Sequence, residues 1–279
     1  MLPTQLFAFG FGYVATELAR ILKADGVATA GTTRSPASAE RLRANDWEAA
    51  SWPGQDVVPP GRNAWLISVP PDDAGCPVFR AFEPLAASAA WIGYLSTTGV
   101  YGDLGGSWAF EETPLNPQSR EATNRARAEG QWRDVGARVF RLPGIYGPGR
   151  SQLDRMREGG ARRIVKPGQV FSRAHVADIA SALRLAMTRR TPERIFNICD
   201  DEPAPADEVL AYAAQLLDLP MPPAVAFQDA NLSPAAQRFY AECKRVSNAK
   251  AKAALGWAPR FPTYREGLAD CLQREDAST

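Results

Sequence analysis

The chain has 279 residues, 45% hydrophobic and 23% charged, as expected for a globular domain or two in water. Lys and Arg total 32 against 31 Asp and Glu, a net charge of +1, which argues against recognition of nucleic acid through a basic surface. One histidine and four cysteines without a CxxC pair exclude a His-rich zinc site and a disulfide framework, and no window approaches the roughly 18 apolar residues of a membrane helix.

In chain order, the apolar run Leu6–Phe11 predicts a strand and Tyr13–Ala24 a helix. Val27–Thr33 reads as a second strand, Ala37–Ala44 as helix-prone and Trp47–Trp52 as a short strand. Ala64–Val69 is a strand stopped by Pro70 and Pro71. Val78–Ala90 is helical, Trp91–Ser96 strand-like, Glu121–Val135 a polar helix, and Arg138–Leu142 a strand ending at Pro143. The pattern loosens after Tyr146. Val176–Met187 is then helical, Arg194–Cys199 a strand and Ala206–Leu217 helical. An irregular stretch starts at Pro220–Pro223, and two last helices begin near Ser247 and Tyr264. Alternating strands and helices predict an α/β fold, a Rossmann-type doubly wound parallel sheet with a smaller C-terminal substrate lobe. Residues 1–146 form the dinucleotide-binding core in this reading. Residues 147–279 complete it and build the lobe, in a single unit.

The sharpest motif is Gly10-Phe11-Gly12-Tyr13-Val14-Ala15, a GxGxxA turn between a predicted strand and a predicted helix. The first glycine permits the tight turn, the second lets a pyrophosphate approach, and Ala15 allows close helix–strand packing. Phosphates would meet free N–H groups at the positive helix end. The second strand ends Thr32-Thr33-Arg34-Ser35, without the acid that would hold ribose hydroxyls. Arg34 offers a planar donor fork for a 2′-phosphate, and Thr33 and Ser35 add hydroxyls. NADP(H) is therefore expected over NAD(H).

Further segments coincide in order. Leu95-Ser96-Thr97-Thr98-Gly99-Val100-Tyr101-Gly102, Glu112–Pro117, Arg141–Gly149, His175–Ala180, Phe196–Ile198 with Asp200–Glu202, and Ser247–Lys250 with Leu255–Pro259 together resemble the extended short-chain dehydrogenases/reductases. The resemblance implies NAD(P)-linked work on nucleotide-sugars or related carbonyl and hydroxyl compounds. It implies cofactor contacts from Ser68, Val69, Pro143, Gly144 and Ile145 and places Tyr146 beside the substrate; Ser172, Arg173 and His175, which precede a helix, could hold a substrate anion. It also implies a homodimer through the helix carrying Glu121 and Arg125.

One departure stands out. That family uses a hydroxyl residue, matched by Thr97, and a YxxxK pair on the next helix, whose positions hold Glu121 and Arg125. An Arg-paired carboxyl would be an ionised base at neutral pH and a poor proton donor. Glu121 and Arg125 also suit a simple helix surface pair at i,i+4. Tyr101 and Tyr146 could donate the proton instead, or only pack. His175 could hold an anion or only start its helix, and Asp178 reads as a first-turn helix acid.

Two functions follow. One is an NADP-dependent oxidoreductase or epimerase/dehydratase with an atypical site: Thr97, Tyr101, Glu121 and Arg125. The other is a catalytically inactive NADP-binding sensor or partner-binding protein. A hydrolase is a poor reading, lacking a GxSxG elbow. No metal, nucleic-acid partner or membrane is expected. Cys76, Cys199, Cys243 and Cys271 read as reduced thiols of a cytoplasmic protein, and no basic stretch in residues 1–12 suggests a signal peptide.

Overall fold

Short apolar strands, buried along most of their length, and the helices between them assemble into one parallel sheet in the computed structural model, which describes residues 2–59 and 61–276. The first half runs β1 (Gln5–Phe9), α1 (Tyr13–Ala24), β2 (Ala28–Thr33), α2 (Pro36–Arg43), β3 (Glu48–Ser51), β4 (Ala64–Ile67), α3 (Pro77–Ala86) and β5 (Trp91–Thr97). A 3-10 turn (Thr98–Tyr101), β6 (Trp108–Ala109), α4 (Arg120–Asp134) and β7 (Arg138–Leu142) follow. The second half runs β8 (Gly144–Tyr146), α5 (Gln152–Arg157), β9 (Arg163–Val165), β10 (Arg173–His175), α6 (Val176–Thr188), β11 (Ile195–Asn197) and α7 (Ala206–Leu216). It ends with β12 (Ala224–Ala226), α8 (Pro234–Ala241), β13 (Arg245–Val246), α9 (Ala249–Leu255) and α10 (Tyr264–Asp276).

Seven strands pair in the order β11-β7-β5-β4-β1-β2-β3, every pair parallel. Both faces are covered, and the pleat sorts side chains between them. Leu6 and Ala8 of β1, with Ala64 and Leu66 of β4, face α1, α6 and α9, meeting Leu18, Leu22, Ile179 and Leu183. Phe7, Phe9, Trp65 and Ile67 face the other way, onto Phe82 of α3 and Trp132 of α4. In α1 the buried residues Val14, Leu18 and Leu22 recur at i,i+4, the stripe that a helix needs to lie on a sheet. The strand order reverses between β1 and β4, and at that switch point the carboxyl ends of the strands open a crevice.

The later elements both finish the sheet and build a lobe beside it. β11, α6 and α9 join the main core. The pairs β10–β8, β12–β9 and β13–β6 lie outside the main sheet, and a separate cluster of Tyr146, Leu153, Val209, Tyr264 and Leu268 packs among α5, α7 and α10. Some expected boundaries shift for identifiable reasons. β1 ends at Phe9 because Gly10 turns at φ +86°. α8 forms inside the stretch expected to be irregular. Ser233 caps it and Pro234 occupies its first turn, a start signal that the surrounding prolines obscure. No helix among the described residues is long and apolar enough to cross a membrane.

Candidate cofactor and substrate site

The glycine turn lies where the crevice opens. Gly10 has a left-handed φ of +86°, and an added Cβ would stand 3.1 Å from the Val69 backbone nitrogen and 3.2 Å from the Ser68 carbonyl carbon. The turn after β1 therefore presses on the end of β4, and glycine is needed on both counts. Thr32 holds the turn from the other side. Its carbonyl accepts the Phe11 N–H at 2.6 Å and its hydroxyl the Gly10 N–H at 3.3 Å. Gly12 differs: an added Cβ would meet only the Gly10 carbonyl oxygen, at 4.0 Å. Gly12 is also the N-cap of α1, no side chain caps that helix, and no acid sits in its first turn. The positive end of a 12-residue helix thus faces open space, the arrangement that receives a pyrophosphate. Val14 and Ala15 are buried beneath it, so their backbone and packing serve the site, not their side chains. Phe11 is buried too, tilted against Trp47.

Tyr13 fastens the rim. Its hydroxyl donates to the Pro148 carbonyl at 3.0 Å, and Arg150 lies 5.8 Å from its ring centre. Gly147 passes so close that a Cβ there would stand 2.5 Å from the Tyr13 hydroxyl. Pro143, Gly144 and Ile145 follow β7 at the same carboxyl-end edge, with Gly144 exposed and Ile145 partly buried against the main core.

At the end of β2, Arg34 is exposed and has no hydrogen bond or ion pair among the described residues. Thr33 and Ser35 are less free than expected. The Thr33 hydroxyl donates to the Ser35 carbonyl at 3.0 Å, while Ser35 caps α2 by accepting the Ser38 N–H at 3.2 Å. Two residues missed in the sequence join them: the Ser38 hydroxyl lies 2.9 Å from that of Ser35 and accepts from Arg41 at 2.8 Å. The signal was present in the i,i+3 spacing of Ser38 and Arg41 on α2. No carboxylate occupies the strand end, and two guanidiniums stand near the helix start.

Thr97 closes β5. Its hydroxyl accepts the Gly99 N–H at 3.1 Å, capping the 3-10 turn and leaving its own proton to donate. Glu121, one of the replaced pair, is exposed in the first turn of α4. Its own backbone N–H, then Arg238 and neighbouring groups, hold its carboxyl below the usual range, so it is an ionised acceptor near neutrality. Arg125 does not pair with Glu121. It folds inward and donates to the Leu95 carbonyl at 2.9 Å, beside the Tyr94 ring. The i,i+4 surface pair anticipated from the sequence is therefore not made, because a strand carbonyl offers Arg125 a less solvated partner. Across the outer face of α4, from which the resemblance would build a dimer, runs the loop after β4. Asp73 accepts from Arg120 at 2.7 Å and from Asn124 at 3.0 Å.

Five other expected site residues turn inward. Tyr101 is fully buried, donating to Asn197 Oδ1 at 2.7 Å and accepting from Arg141 at 3.0 Å. Arg141 in turn grips the buried Glu129 at 2.7 Å, and Ser96 donates to Glu129 at 2.5 Å. Burial raises the Tyr101 pKa, so this hydroxyl is a structural link and not a proton donor to substrate. Tyr146 points into the α5–α7–α10 cluster, where a Cβ on Gly267 would collide with its hydroxyl. His175 is 1% exposed and caps α6 by accepting the Ala177 N–H at 3.3 Å; burial, with Arg274 and Arg260 nearby, lowers its pKa to about 3. It is a neutral packing residue, not an anion ligand. Ser172 accepts the Val246 N–H at 3.0 Å, and Arg173 donates to the Phe171 and Ala204 carbonyls, each at 2.9 Å. Asp178 receives the Arg260 and Phe261 N–H groups from outside its own helix, anchoring the segment before α10. Among the described residues, no cluster of three or more His, Cys, Asp or Glu could hold a metal.

The overall fold is shared with known proteins. Over 97% of this chain and 99% of the other, it superposes with a TM-score of 0.92 on a functionally unknown conserved protein from Silicibacter pomeroyi, at 46% identity. The two belong to one family. A protein described as an NAD-dependent epimerase/dehydratase, from Methylobacillus flagellatus, matches over 99% of this chain and 100% of its own at 22% identity, TM-score 0.71. This chain has the extended short-chain dehydrogenase/reductase fold. A human epimerase family protein solved with NADPH shares that fold, at 16% identity over 96% of this chain and 99% of its own, TM-score 0.73. No family model matches the chain. Among curated proteins, a 3-diazoavenalumate denitrifying reductase from Streptomyces is 30% identical over 149 residues, 48% of this chain. The match spans about half of that relative, 47% of its length. Fold neighbours bind NAD or NADPH, and the residues of the turn fit such a nicotinamide cofactor.

Proposed function

We propose that this chain is an NADP(H)-linked reductase of a small electrophile. The observation that carries this reading is the pairing of an open approach at Gly12 with an exposed Arg34 at the end of β2 that has no partner among the described residues. Arg34, with Arg41 and Ser38 behind it, suits a 2′-phosphate and offers nothing to a bare ribose edge that a carboxylate would offer. When bound, the nicotinamide supplies hydride.

The chain's own groups narrow the reaction. Thr97 orients an acceptor atom through its free proton. Glu121 takes protons more readily than it gives them, and Arg125 is occupied at the Leu95 carbonyl. Tyr101, the nearest tyrosine in the motif, is committed to Asn197 and Arg141. A carbonyl reduction would leave an alkoxide without a strong donor. Replacement of an aryl diazonium group by hydrogen would not: a carbon–hydrogen bond forms with the hydride, the carbon–nitrogen bond breaks, and its electron pair leaves with dinitrogen. The name of the Streptomyces relative, a denitrifying reductase, supports this class. Nucleotide-sugars have less support, because the neighbours acting on them share the fold at low identity.

NADPH consumption and gas release with an aryl diazonium salt, an aldehyde, a ketone and a nucleotide-sugar test the proposal, with enzyme-free and Gly12→Val controls. Diazonium-dependent turnover that releases dinitrogen and vanishes in Gly12→Val is expected. Turnover with the nucleotide-sugar alone would overturn the substrate class. The committed hydroxyls of the β5–α4 region favour a second reading, a non-catalytic NADP(H)-binding protein, which NADPH binding without turnover of any substrate would establish.

A further inference from the structure

The end of the sheet opposite the crevice holds a cavity of about 810 Å³ that the reductase reading does not use. It lies at the amino ends of β5 and β7, between the carboxyl ends of α3, α4 and α6, which are capped at Ala87, Val135 and Arg189. Four arginines line it, Arg138, Arg189, Arg190 and Arg194, and no Asp or Glu does. Glu193, the acid next to Arg194, turns away to Lys250 at 3.4 Å.

The three helix ends explain only part of this charge. Arg138 is buried at the start of β7 and donates to the Ala186 carbonyl and, at 2.9 Å, to the Arg189 carbonyl. Arg194 donates to the Gly136 carbonyl at 2.9 Å. These bonds cap the ends of α6 and α4. A helix end carries roughly half a negative charge, so three supply about −1.5 against four full positive charges. Arg190 is exposed and has no partner among the described residues, and the Trp91 indole N–H in the same lining has no acceptor. Burial, and then the nearness of Arg194, lower the Arg138 pKa. The volume falls within the range of small-molecule sites. Two guanidiniums are fixed by carbonyls, those of the exposed Arg189 and Arg190 have no hydrogen bond or ion pair among the described residues, and none of the four is neutralised by a lining acid.

We propose that this cavity is a second, non-catalytic site that binds a small polyanion carrying phosphate groups. Arg138 and Arg194 form its fixed floor. Arg190 closes on the ligand from the loop after α6.

Calorimetric titration with pyrophosphate, beside citrate as a polycarboxylate, tests this on wild type, Arg190→Ala, Arg190→Ala/Arg194→Ala and Gly12→Val. Pyrophosphate binding should persist in Gly12→Val, in which the crevice at the glycine turn is blocked. Arg190→Ala removes a side chain with no internal partner, so the fold should hold while affinity falls at least tenfold; the double variant should fall further. Absence of pyrophosphate binding, or binding unchanged in Arg190→Ala, would overturn the proposal. Binding lost in Gly12→Val and retained in the arginine variants would place the anion in the crevice and overturn it as well. Citrate binding without pyrophosphate binding would refute the phosphate assignment.

Discussion

At the glycine turn, α1 carries no side-chain cap and Arg34 has no partner among the described residues, whereas at the end of β5 most polar side chains are bonded inside the protein. Both regions border one crevice, and both lie in segments where the sequence resembles an active oxidoreductase. Groups that bind ligands must leave donors or acceptors unspent, because a buried bond already made has to be broken before it can be used. The first region keeps its donors for a ligand. The second spends Tyr101, Arg125, Glu129 and Arg141 on holding β5, β7 and α4 together. The contrast favours a protein that holds a cofactor well and handles protons poorly.

The second region is broken most severely at Glu129. Glu129→Ala leaves Arg141 buried without its counter-charge, and denaturant melts should show a loss of about 3–5 kcal/mol. A loss under about 1 kcal/mol would mean that this ion pair does not fix β7 to α4.

Asp200, in the lobe, gives a pH-dependent comparison. It is 3% exposed and both its oxygens lack partners among the described residues; burial raises its pKa to about 8 despite Arg173 nearby. Between its unfolded value near 3.8 and 8, the native state holds a proton that the unfolded chain has released. Its contribution therefore weakens as pH rises, at up to about 1.4 kcal/mol per pH unit. His175 works in the opposite direction, its contribution being lost as pH falls from 6.5 toward 3. The difference in stability between wild type and Asp200→Asn isolates the first effect. The variant should gain on wild type steadily from pH 5 to pH 7; a flat difference would show that Asp200 is ionised in the native state.

Tyr101→Phe should cost about 1–2 kcal/mol, since Arg141 and Asn197 each lose a buried partner. In an active enzyme it should leave the rate law and its pH profile unchanged. A collapse of kcat with stability intact would return Tyr101 to the chemistry. Glu121→Gln should have the smallest effect, under about twofold in kcat, because Glu121 is exposed and is not placed to donate a proton.

The first region was legible in the sequence because its logic is local. Gly10, Gly12 and Ala15 sit within six residues, and Tyr13–Ala24 coincides with α1 as expected. The second region was not, because its bonds span distant residues. Whether Tyr101 faces substrate or core depends on Arg141 and Asn197, 40 and 96 residues away. Arg125 matched a helix pair by spacing, yet the Leu95 carbonyl, 30 residues earlier, claims it. His175 is enclosed by Phe261 and α10, which periodicity could not place over it. The strands of two or three residues in the lobe are too short to show a period at all.

Calorimetric titration of wild type and Arg34→Ala with NADPH and with NADH tests the open, phosphate-reading end of the crevice most directly. Tighter binding of NADPH than NADH is expected, with Arg34→Ala costing NADPH at least tenfold, about 1.4 kcal/mol, and leaving NADH unchanged. Equal affinity for both nucleotides, or NADPH binding indifferent to Arg34, would contradict it.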